Sequence, residues 1–308
     1  MDLAAADGRT PGAKTGARRN LQAILLFLLA ILLFDLMGLV IKHLSVGYRA
    51  AELSAYRNLF GLIPALLALW MTRDWHRQGR PWRIRQWRLA SWRGVFVVFA
   101  QFMFYLSLAR IAFATATTIS YSNALFMTAF AVPVLGEKVG SIRWLAVLVG
   151  FVGVVLVMGP GREAMSLDAL LPVGAAALYA LAGITARLMD DAVPSPLVNL
   201  YSAATAAIGA FLLALAIGGF SPIQSWGDFG WIVAMGGFGG TAVLCLVIAS
   251  RMTEQSNLAP FSYFGIPLAF ALGWVFFGEA PWRDLFPGAV LIIAGGLLIL
   301  WRERRVKG

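Results

Sequence analysis

Long apolar runs separated by short polar segments follow one another along almost the whole chain. An α-helix needs about 20 apolar residues to cross a bilayer. The runs therefore predict ten spanning helices, and the first is too long to be the core of a signal peptide. The predicted spans are 21–41, 50–71, 94–110, 113–135, 142–158, 167–188, 196–218, 228–250, 257–277 and 284–301.

The composition agrees with this pattern. Of the 308 residues, 60% are hydrophobic and 13% are charged, whereas about a quarter are charged in a soluble domain. These values exclude a water-soluble enzyme and predict an all-α integral membrane protein. The single Cys245 excludes an intramolecular disulfide and a cysteine metal site. His43 and His76 are predicted to lie in loops, so no metal or other cofactor is expected.

The distribution of basic residues predicts the orientation. If the N-terminus is cytoplasmic, 19 of the 25 Lys and Arg residues fall on cytoplasmic segments and five on the other side. The remaining one, Arg57, lies inside a predicted span. Because cytoplasmic loops are enriched in Lys and Arg, both termini are predicted to be cytoplasmic.

The segment 72–93 carries seven arginines and four tryptophans. Basic and aromatic residues together can indicate nucleic-acid binding. Between two spans, however, indoles and guanidinium groups are typical of an interfacial segment in contact with anionic lipid. We therefore expect membrane lipid as the partner of this segment, and no nucleic acid.

The chain contains an internal repeat. Residues 33–42 resemble residues 178–187, which follow at an offset of 145. An offset of 142 pairs Ser120-Tyr121 with Ser262-Tyr263, and Gly136-Glu137 with Gly278-Glu279. These matches predict two five-span repeats, 21–158 and 167–301, between cytoplasmic tails at 1–20 and 302–308.

Five spans per repeat is an odd number, so the second repeat enters the membrane from the opposite side. Inverted repeats are typical of secondary transporters, in which the substrate site lies near the midplane between the halves. The alternative interpretation is that the duplication only produced a stable bundle, and some channels contain inverted repeats too.

The chain resembles the EamA-type members of the drug/metabolite transporter superfamily over about residues 21–301. The resemblance depends on the segment from Asp35 to Lys42, on Arg57, and on the two Gly-Glu pairs with the glycine-rich spans that follow them. It implies a monomer or weak dimer in the bacterial inner membrane, with a cavity lined by the first four helices of each half. Relatives of this type export amino acids and other metabolites, or carry riboflavin or S-adenosylmethionine. The chain departs from repeat symmetry where Lys138 follows the first Gly-Glu pair and Ala280-Pro281 the second.

Two charged residues stand inside predicted spans, where charges are costly and usually functional. Asp35 and Arg57 each lie about six residues, or roughly 9 Å, from the outer ends of spans one and two. Their matched depth predicts that they contact each other when the outer side is closed. The pair could be a structural ion pair that only locks the two helices, or it could act as an outer gate. Asp35 could also carry a proton during the cycle, or it could stay unpaired and face the cavity.

Polar side chains inside the spans are the candidate substrate-binding residues. Hydroxyl, amide and aromatic groups suit a zwitterion or a polar aromatic solute, although interhelical hydrogen bonds explain single Ser and Thr residues equally well. The candidates are Gln101, Tyr105, Thr117, Ser120, Tyr121, Asn123, Thr128, Tyr179, Thr241, Ser262 and Tyr263.

Further motifs limit the mechanism. The run Gly236–Gly240 predicts close helix contact, with a hinge as the alternative. Glu137 and Glu279 are expected to cap the helices that follow them. No Gly-x-x-x-x-Gly-Lys-Ser/Thr motif is present, so ATP is not the expected energy source.

The sequence therefore predicts a secondary-active transporter that exports amino acids or similar small polar metabolites by alternating access. Proton-coupled uptake of a vitamin-like or nucleoside-like solute is one alternative. A membrane scaffold that transports nothing is the alternative from another class of protein.

Overall fold

The computed structural model describes residues 11–136, 140–158, 167–190, 193–253, 258, 261–279 and 281–307. The secondary structure in these ranges is helical. The α-helices are α1 (Pro11–Leu44), α2 (Ala50–Trp70), α3 (Arg73–Arg77), α4 (Trp87–Arg110), α5 (Phe113–Ser120), α6 (Asn123–Leu135), α7 (Ser141–Met158), α8 (Leu170–Arg187), α9 (Ser195–Ala216), α10 (Trp226–Met252), α11 (Gly265–Phe277), α12 (Trp282–Leu285) and α13 (Gly288–Lys307). A 3₁₀ turn at Leu167–Ala169 leads into α8.

Seven helical segments are long and apolar enough to cross a membrane. They are Arg19–Leu44, Ala50–Trp70, Trp87–Arg110, Phe113–Leu135, Leu167–Arg187, Ser195–Ala216 and Trp226–Ser250. Three shorter apolar helices cover Trp144–Met158, Gly265–Phe277 and Gly288–Ile299. This architecture is that of an all-α membrane protein.

Two helices extend beyond the predicted spans. Helix α1 begins at Pro11, so residues 11–20, expected in the cytoplasmic tail, continue the first helix. Helix α4 begins at Trp87, seven residues before the predicted start of the third span. The first turns of α4 contain Arg88 and the exposed Trp87 and Trp92, which lower the mean hydropathy there. Hydropathy alone therefore placed the start of the helix too late. The two histidines also lie in helices, His43 in α1 and His76 in α3.

Glycines bring α10 close to α2. A Cβ atom on Gly236 would overlap the Phe60 side chain, and one on Gly240 would overlap Pro64. A Cβ on Gly239 would lie 3.0 Å from the Nε of Arg57. The glycine run thus permits the close helix contact that the sequence predicts.

The fifth and tenth predicted spans pack against each other as α7 and α13. A Cβ on Gly153 would lie 2.6 Å from the Gly288 carbonyl oxygen, and one on Gly288 would lie 2.5 Å from the Gly153 carbonyl oxygen. Gly295 approaches the Ala146 carbonyl oxygen in the same way. The backbones therefore touch, and any larger side chain at these positions would push the two helices apart.

Two apolar segments are interrupted at repeat-related tyrosines. A turn at Tyr121–Ser122 separates α5 from α6, and the Tyr121 amide is shared between the Thr117 and Thr118 carbonyl oxygens. A second turn at Tyr263–Phe264 precedes α11. Pro267 stands in the first turn of α11, where a missing N–H is tolerated. Ser122 and Tyr263 are buried at these turns, whereas Phe264 is exposed.

Candidate functional site

A cavity of about 470 Å³ lies in the centre of the bundle. Side chains of α1, α2, α4, α5, α6, α8, α9 and α10 line it, together with Tyr121 in the turn between α5 and α6. None of the lining residues belongs to the described parts of α7 or α13. Residues of α11 are also missing from the lining, although the resemblance implied that the ninth span contributes.

Most of the predicted binding residues meet at this cavity. Besides Asp35 and Arg57, the lining includes Gln101, Tyr105, Thr117, Ser120, Tyr121, Asn123 and Tyr179. Because these residues come from six separate helices and a turn, local spacing alone could not have brought them together.

Four predicted binding residues do not line the cavity. Thr241 is exposed on the outer surface of α10, and the Thr128 hydroxyl donates a hydrogen bond to the Ala124 carbonyl of its own helix at 3.1 Å. Ser262 and Tyr263 lie at the turn before α11, outside the lining. The Tyr263 ring packs 6.5 Å from the Tyr121 ring, centroid to centroid, but its hydroxyl points at Gly296 of α13. The two repeat-related tyrosines therefore touch, and Tyr121 faces the cavity.

The cavity contains an unpaired carboxylate. The Asp35 side chain lines the cavity although the residue is only 4% exposed. Its Oδ2 atom has no hydrogen-bond partner among the described residues. Asp35 forms no ion pair with Arg57, so the contact expected from their matched depth is absent from this structure. The depth estimate was reasonable, but depth does not determine which way each side chain points around its helix.

Arg57 belongs to a buried amide network instead. Its Nη1 donates to Asn58 Oδ1 at 3.2 Å. The Asn58 Nδ2 donates to Gln101 Oε1 at 2.6 Å and to the Ser54 carbonyl at 2.8 Å. This network links α2 to α4 and fixes the guanidinium group beside the cavity.

Sequence reasoning missed four polar residues of the lining, Asn58, Arg93, Asn199 and Ser202. Arg93 was counted with the basic loop because α4 was expected to begin after it. Its Nε is buried and has no hydrogen-bond partner in the described ranges. The sequence signal that could have placed Arg93 inside the third span is that Gly94 and a long apolar run follow it directly.

One end of the bundle, here called the closed end, carries Leu44, Arg110 and Phe113. There Lys42 Nζ lies 2.7 Å from Glu279 Oε1 and donates to the Ile111 carbonyl at 2.9 Å. The Phe113 amide donates to Glu279 Oε2 at 2.8 Å. Glu279 was expected to cap the helix after it, but it binds α1 and α5 instead; Glu137 lies outside the described residues.

A second set of polar contacts crosses the closed end. Tyr48 Oη donates to Asp228 Oδ2 and accepts from the Gln224 amide, both at 2.9 Å. The Ser221 hydroxyl donates to the buried Glu52 Oε1 at 2.9 Å. Burial is the main cause that raises the pKa of Tyr48, and the Asp228 and Glu52 charges raise it further. Tyr48 therefore remains a hydrogen-bond donor at neutral pH.

The cavity extends toward the opposite end, here called the open end. Its lining includes Ala68 near the end of α2, Arg93 near the start of α4, Gly183 near the end of α8 and Asn199 near the start of α9. These residues surround the side of the cavity nearest the arginine-rich segment. The described residues contain no group of three or more His, Cys, Asp or Glu side chains that could hold a metal.

Apolar helices surround a central cavity with charged and polar side chains in its lining, and this arrangement is that of a multi-pass membrane protein. Residues 21–159 and 167–301 match the EamA-like transporter family, and the chain belongs to that family. It is a multi-pass protein of the bacterial inner membrane.

Similar proteins are named as transporters of different solutes. An S-adenosylmethionine uptake transporter of Rickettsia bellii is 24% identical, with 91% of this chain and 93% of that protein covered. A riboflavin transporter of Rhizobium johnstonii is 32% identical over 56% of each chain. A pseudopaline exporter of Pseudomonas aeruginosa is 25% identical, with 91% of this chain and 93% of that protein covered.

The fold also matches a solved crystal structure with a TM-score of 0.64 at 21% sequence identity. The match covers 93% of this chain and 99% of that chain. This likeness concerns the fold alone, whereas the family match and the named relatives show that the chain is a membrane transporter for small molecules.

Proposed function

We propose that the protein is a secondary-active transporter that exports amino acids or similar small polar metabolites by alternating access. The observation that carries this proposal is the central cavity, which has charged and polar side chains in a largely apolar lining. It extends toward one end of the bundle, while polar contacts such as the Lys42–Glu279 pair cross the other end. A scaffold needs no such cavity, and a channel needs a passage that is continuous through both ends.

The proposed orientation puts the open end in the cytoplasm. The arginine-rich segment 72–93 lies at that end, and cytoplasmic loops are enriched in Arg and Lys. In this orientation the described state is open to the cytoplasm and closed to the outside. A cytoplasmic solute can then reach Asp35 and Arg57 without crossing the Lys42–Glu279 contact.

The packing pattern supports ten spans in two inverted repeats. Helix α1 packs mainly on α10, and its repeat partner α8 packs mainly on α4, the repeat partner of α10. Likewise α2 packs on α9, and α7 packs on α13. Exchanging each helix for its repeat partner reproduces these four main packing contacts, as expected for two halves related by a pseudo-two-fold axis.

In the proposed cycle, the Lys42–Glu279 ion pair acts as the outer gate. It joins α1 of the first repeat to the end of α11 in the second, so separation of the halves must break it. Asp35 and Arg57 remain at the cavity wall, where they face the solute. A role of Asp35 in proton coupling is the second hypothesis, favoured by its burial without a counter-ion, and it would suit proton-coupled uptake.

Transport of solutes by purified protein in liposomes tests the proposal. Candidate solutes are the amino acids, with S-adenosylmethionine and riboflavin included because relatives are named for them. We expect a pH-independent counterflow of at least one small polar solute. Import driven by a proton gradient would favour the uptake hypothesis, and the absence of any transport would favour a scaffold.

A matched pair of variants links transport to the cavity. Ala203→Trp on α9 would place an indole in the cavity lining, whereas Leu212→Trp replaces an exposed side chain on the same helix. We expect the first variant to abolish counterflow and the second to retain it. Equal activity of both variants would contradict transport through this cavity.

A further inference from the structure

We infer that Asp35 and Arg57 together bind a dipolar solute, with the solute's amine at Asp35 and its carboxylate at Arg57. The inference rests on the proposed transport function and specifies the substrate class of the same cavity. It assigns separate roles to two residues that the sequence suggested would neutralise each other.

The first argument is the state of Asp35. The carboxylate is buried at the cavity wall, its Oδ2 atom lacks a hydrogen-bond partner among the described residues, and it forms no ion pair there. Buried charges are normally paired, because removing an ion from water is costly. An ammonium group of a solute in the cavity would supply both the opposite charge and hydrogen-bond donors.

The second argument is the orientation of Arg57. The Arg57 Nη1 donates its hydrogen bond to Asn58 Oδ1. The guanidinium group packs beside Gly239, where a Cβ atom would lie 3.0 Å from Nε. Its Nε is buried and has no acceptor in the described part of the chain. A guanidinium group presents several donors in one plane, a geometry that matches a carboxylate.

The third argument is the common depth of the two groups. Asp35 lies nine residues before the end of α1 and Arg57 seven residues after the start of α2, or roughly 10 to 14 Å from the closed end at about 1.5 Å per residue. They line the same cavity and form no ion pair with each other. Each therefore remains available to a different charged group of one solute.

Arg93 gives the cavity an excess of positive charge. It lies 17 residues before the end of α4, so it is roughly 25 Å from the closed end by the same helical rise, near the mouth of the cavity. With one acidic and two basic side chains at its wall, the cavity disfavours a solute that is only cationic. The charge distribution favours a solute that carries at least one carboxylate besides its amine.

A thermal-shift experiment on the full chain in detergent tests the inference without any mutation. The probes are the natural L-amino acids, the amine that remains from each after loss of its carboxyl group, and the acid that remains after loss of its amine. We expect at least one amino acid to raise the unfolding temperature, and its two singly charged analogues to fail at the same concentration. An equal shift from either analogue, or shifts from uncharged solutes alone, would overturn the inference.

Two variants then separate the roles. Asp35→Asn should weaken binding of the active amino acid about 10-fold or more, the usual loss for a hydrogen bond to a charged group, and should leave the weak binding of its acid analogue unchanged. Arg57→Gln should also weaken binding of the active amino acid, but it should leave the weak binding of the amine analogue unchanged. The control is Asp168→Asn, which removes a carboxylate paired with Arg110 away from the cavity.

The outcomes distinguish this inference from the transport proposal. If Asp35→Asn binds the amino acid normally but loses a response to pH, Asp35 carries protons and the subsite is wrong. If the protein transports an uncharged solute and binds no amino acid, the subsite is wrong and the transport function stands. If it transports nothing, the transport function itself fails.

Discussion

Lys42 and Glu279 are separated by most of the chain, yet Lys42 Nζ lies 2.7 Å from Glu279 Oε1 at the closed end. The same lysine donates to the Ile111 carbonyl and lies 5.3 Å from the centre of the Phe277 ring. The same glutamate accepts from the Phe113 amide. This contact joins three helices from both halves, so it has the position and the strength to hold the closed end shut.

Glu279→Gln should open the closed end more often, because Lys42 would lose its counter-ion while remaining largely buried. Hydrogen bonds to charged groups contribute about 1.5–3 kcal/mol, so we expect the population open at this end to rise at least 10-fold. The measurement is labelling of a cysteine at Gln101, in a Cys245→Ser background, by a membrane-impermeant thiol reagent added outside intact cells.

The control for this experiment is Asp168→Asn, which removes the more exposed Arg110–Asp168 pair at the same end. Exposed pairs contribute about 0–1 kcal/mol, so labelling should change little. Unchanged labelling in Glu279→Gln would show that the Lys42–Glu279 contact does not control opening.

The segment that contains Trp82 should face the cytoplasm. The Trp82 side chain is exposed, so a reagent can reach it. Its backbone carbonyl accepts a hydrogen bond from the Tyr201 hydroxyl, which fixes the backbone at this position. A cysteine at Trp82 should resist an impermeant reagent in intact cells and react after permeabilisation, whereas one at the exposed Val46 should react in both cases. The opposite pattern would reverse the orientation and place the cavity mouth outside.

Gly265→Ala should impair solute binding, because its Cβ would overlap the Tyr121 hydroxyl and force the ring toward the cavity. Adding Tyr121→Phe removes the overlapping oxygen and should restore part of the affinity. Binding of the active solute, measured by thermal shift, checks both variants.

The matched control for that pair is Gly296→Ala, which would collide with the Tyr263 hydroxyl outside the cavity. This variant should lower the unfolding temperature while solute affinity stays within about twofold, since overpacking away from the cavity acts on stability. A large loss of affinity in Gly296→Ala would mean that Tyr263 contacts the solute after all.

Tyr48→Phe should lower stability by about 1–3 kcal/mol, because the Gln224 amide loses its acceptor and Asp228 loses a donor. Burial raises the pKa of Tyr48 above its ordinary value of 10.0. The unfolded chain therefore releases this proton at lower pH than the folded protein does. The contribution of Tyr48 is complete below about pH 10 and declines as the pH rises further.

Thermal unfolding of the wild type and of Tyr48→Phe between pH 8 and 11 measures how the contribution of Tyr48 to stability depends on pH. The difference between the wild type and Tyr48→Phe should be constant up to about pH 10 and then decrease. A difference that grows above pH 10 would show that Tyr48 is not held as a buried donor.

The sequence by itself determined the membrane class and most of the helix positions. Apolar runs long enough to span a bilayer leave few alternatives, because every backbone polar group in lipid must be satisfied within a helix. The predicted span at 113–135 has the same bounds as the observed span Phe113–Leu135, although a turn divides it. The run Gly236–Gly240 predicted close helix contact because small residues let backbones approach. The sequence also singled out Asp35, Arg57, Gln101 and Tyr121, which line the cavity, because polar groups are conspicuous in an apolar run.

The tertiary structure decided how these groups are partnered. Depth along a helix follows from residue number, but the direction of a side chain depends on how each helix is rotated and packed against its neighbours. That rotation separates Asp35 from Arg57, turns the Tyr263 hydroxyl toward Gly296, and brings Glu279 to Lys42. Contacts of this kind arise between helices that are distant in the chain, so no local pattern in the sequence specifies them.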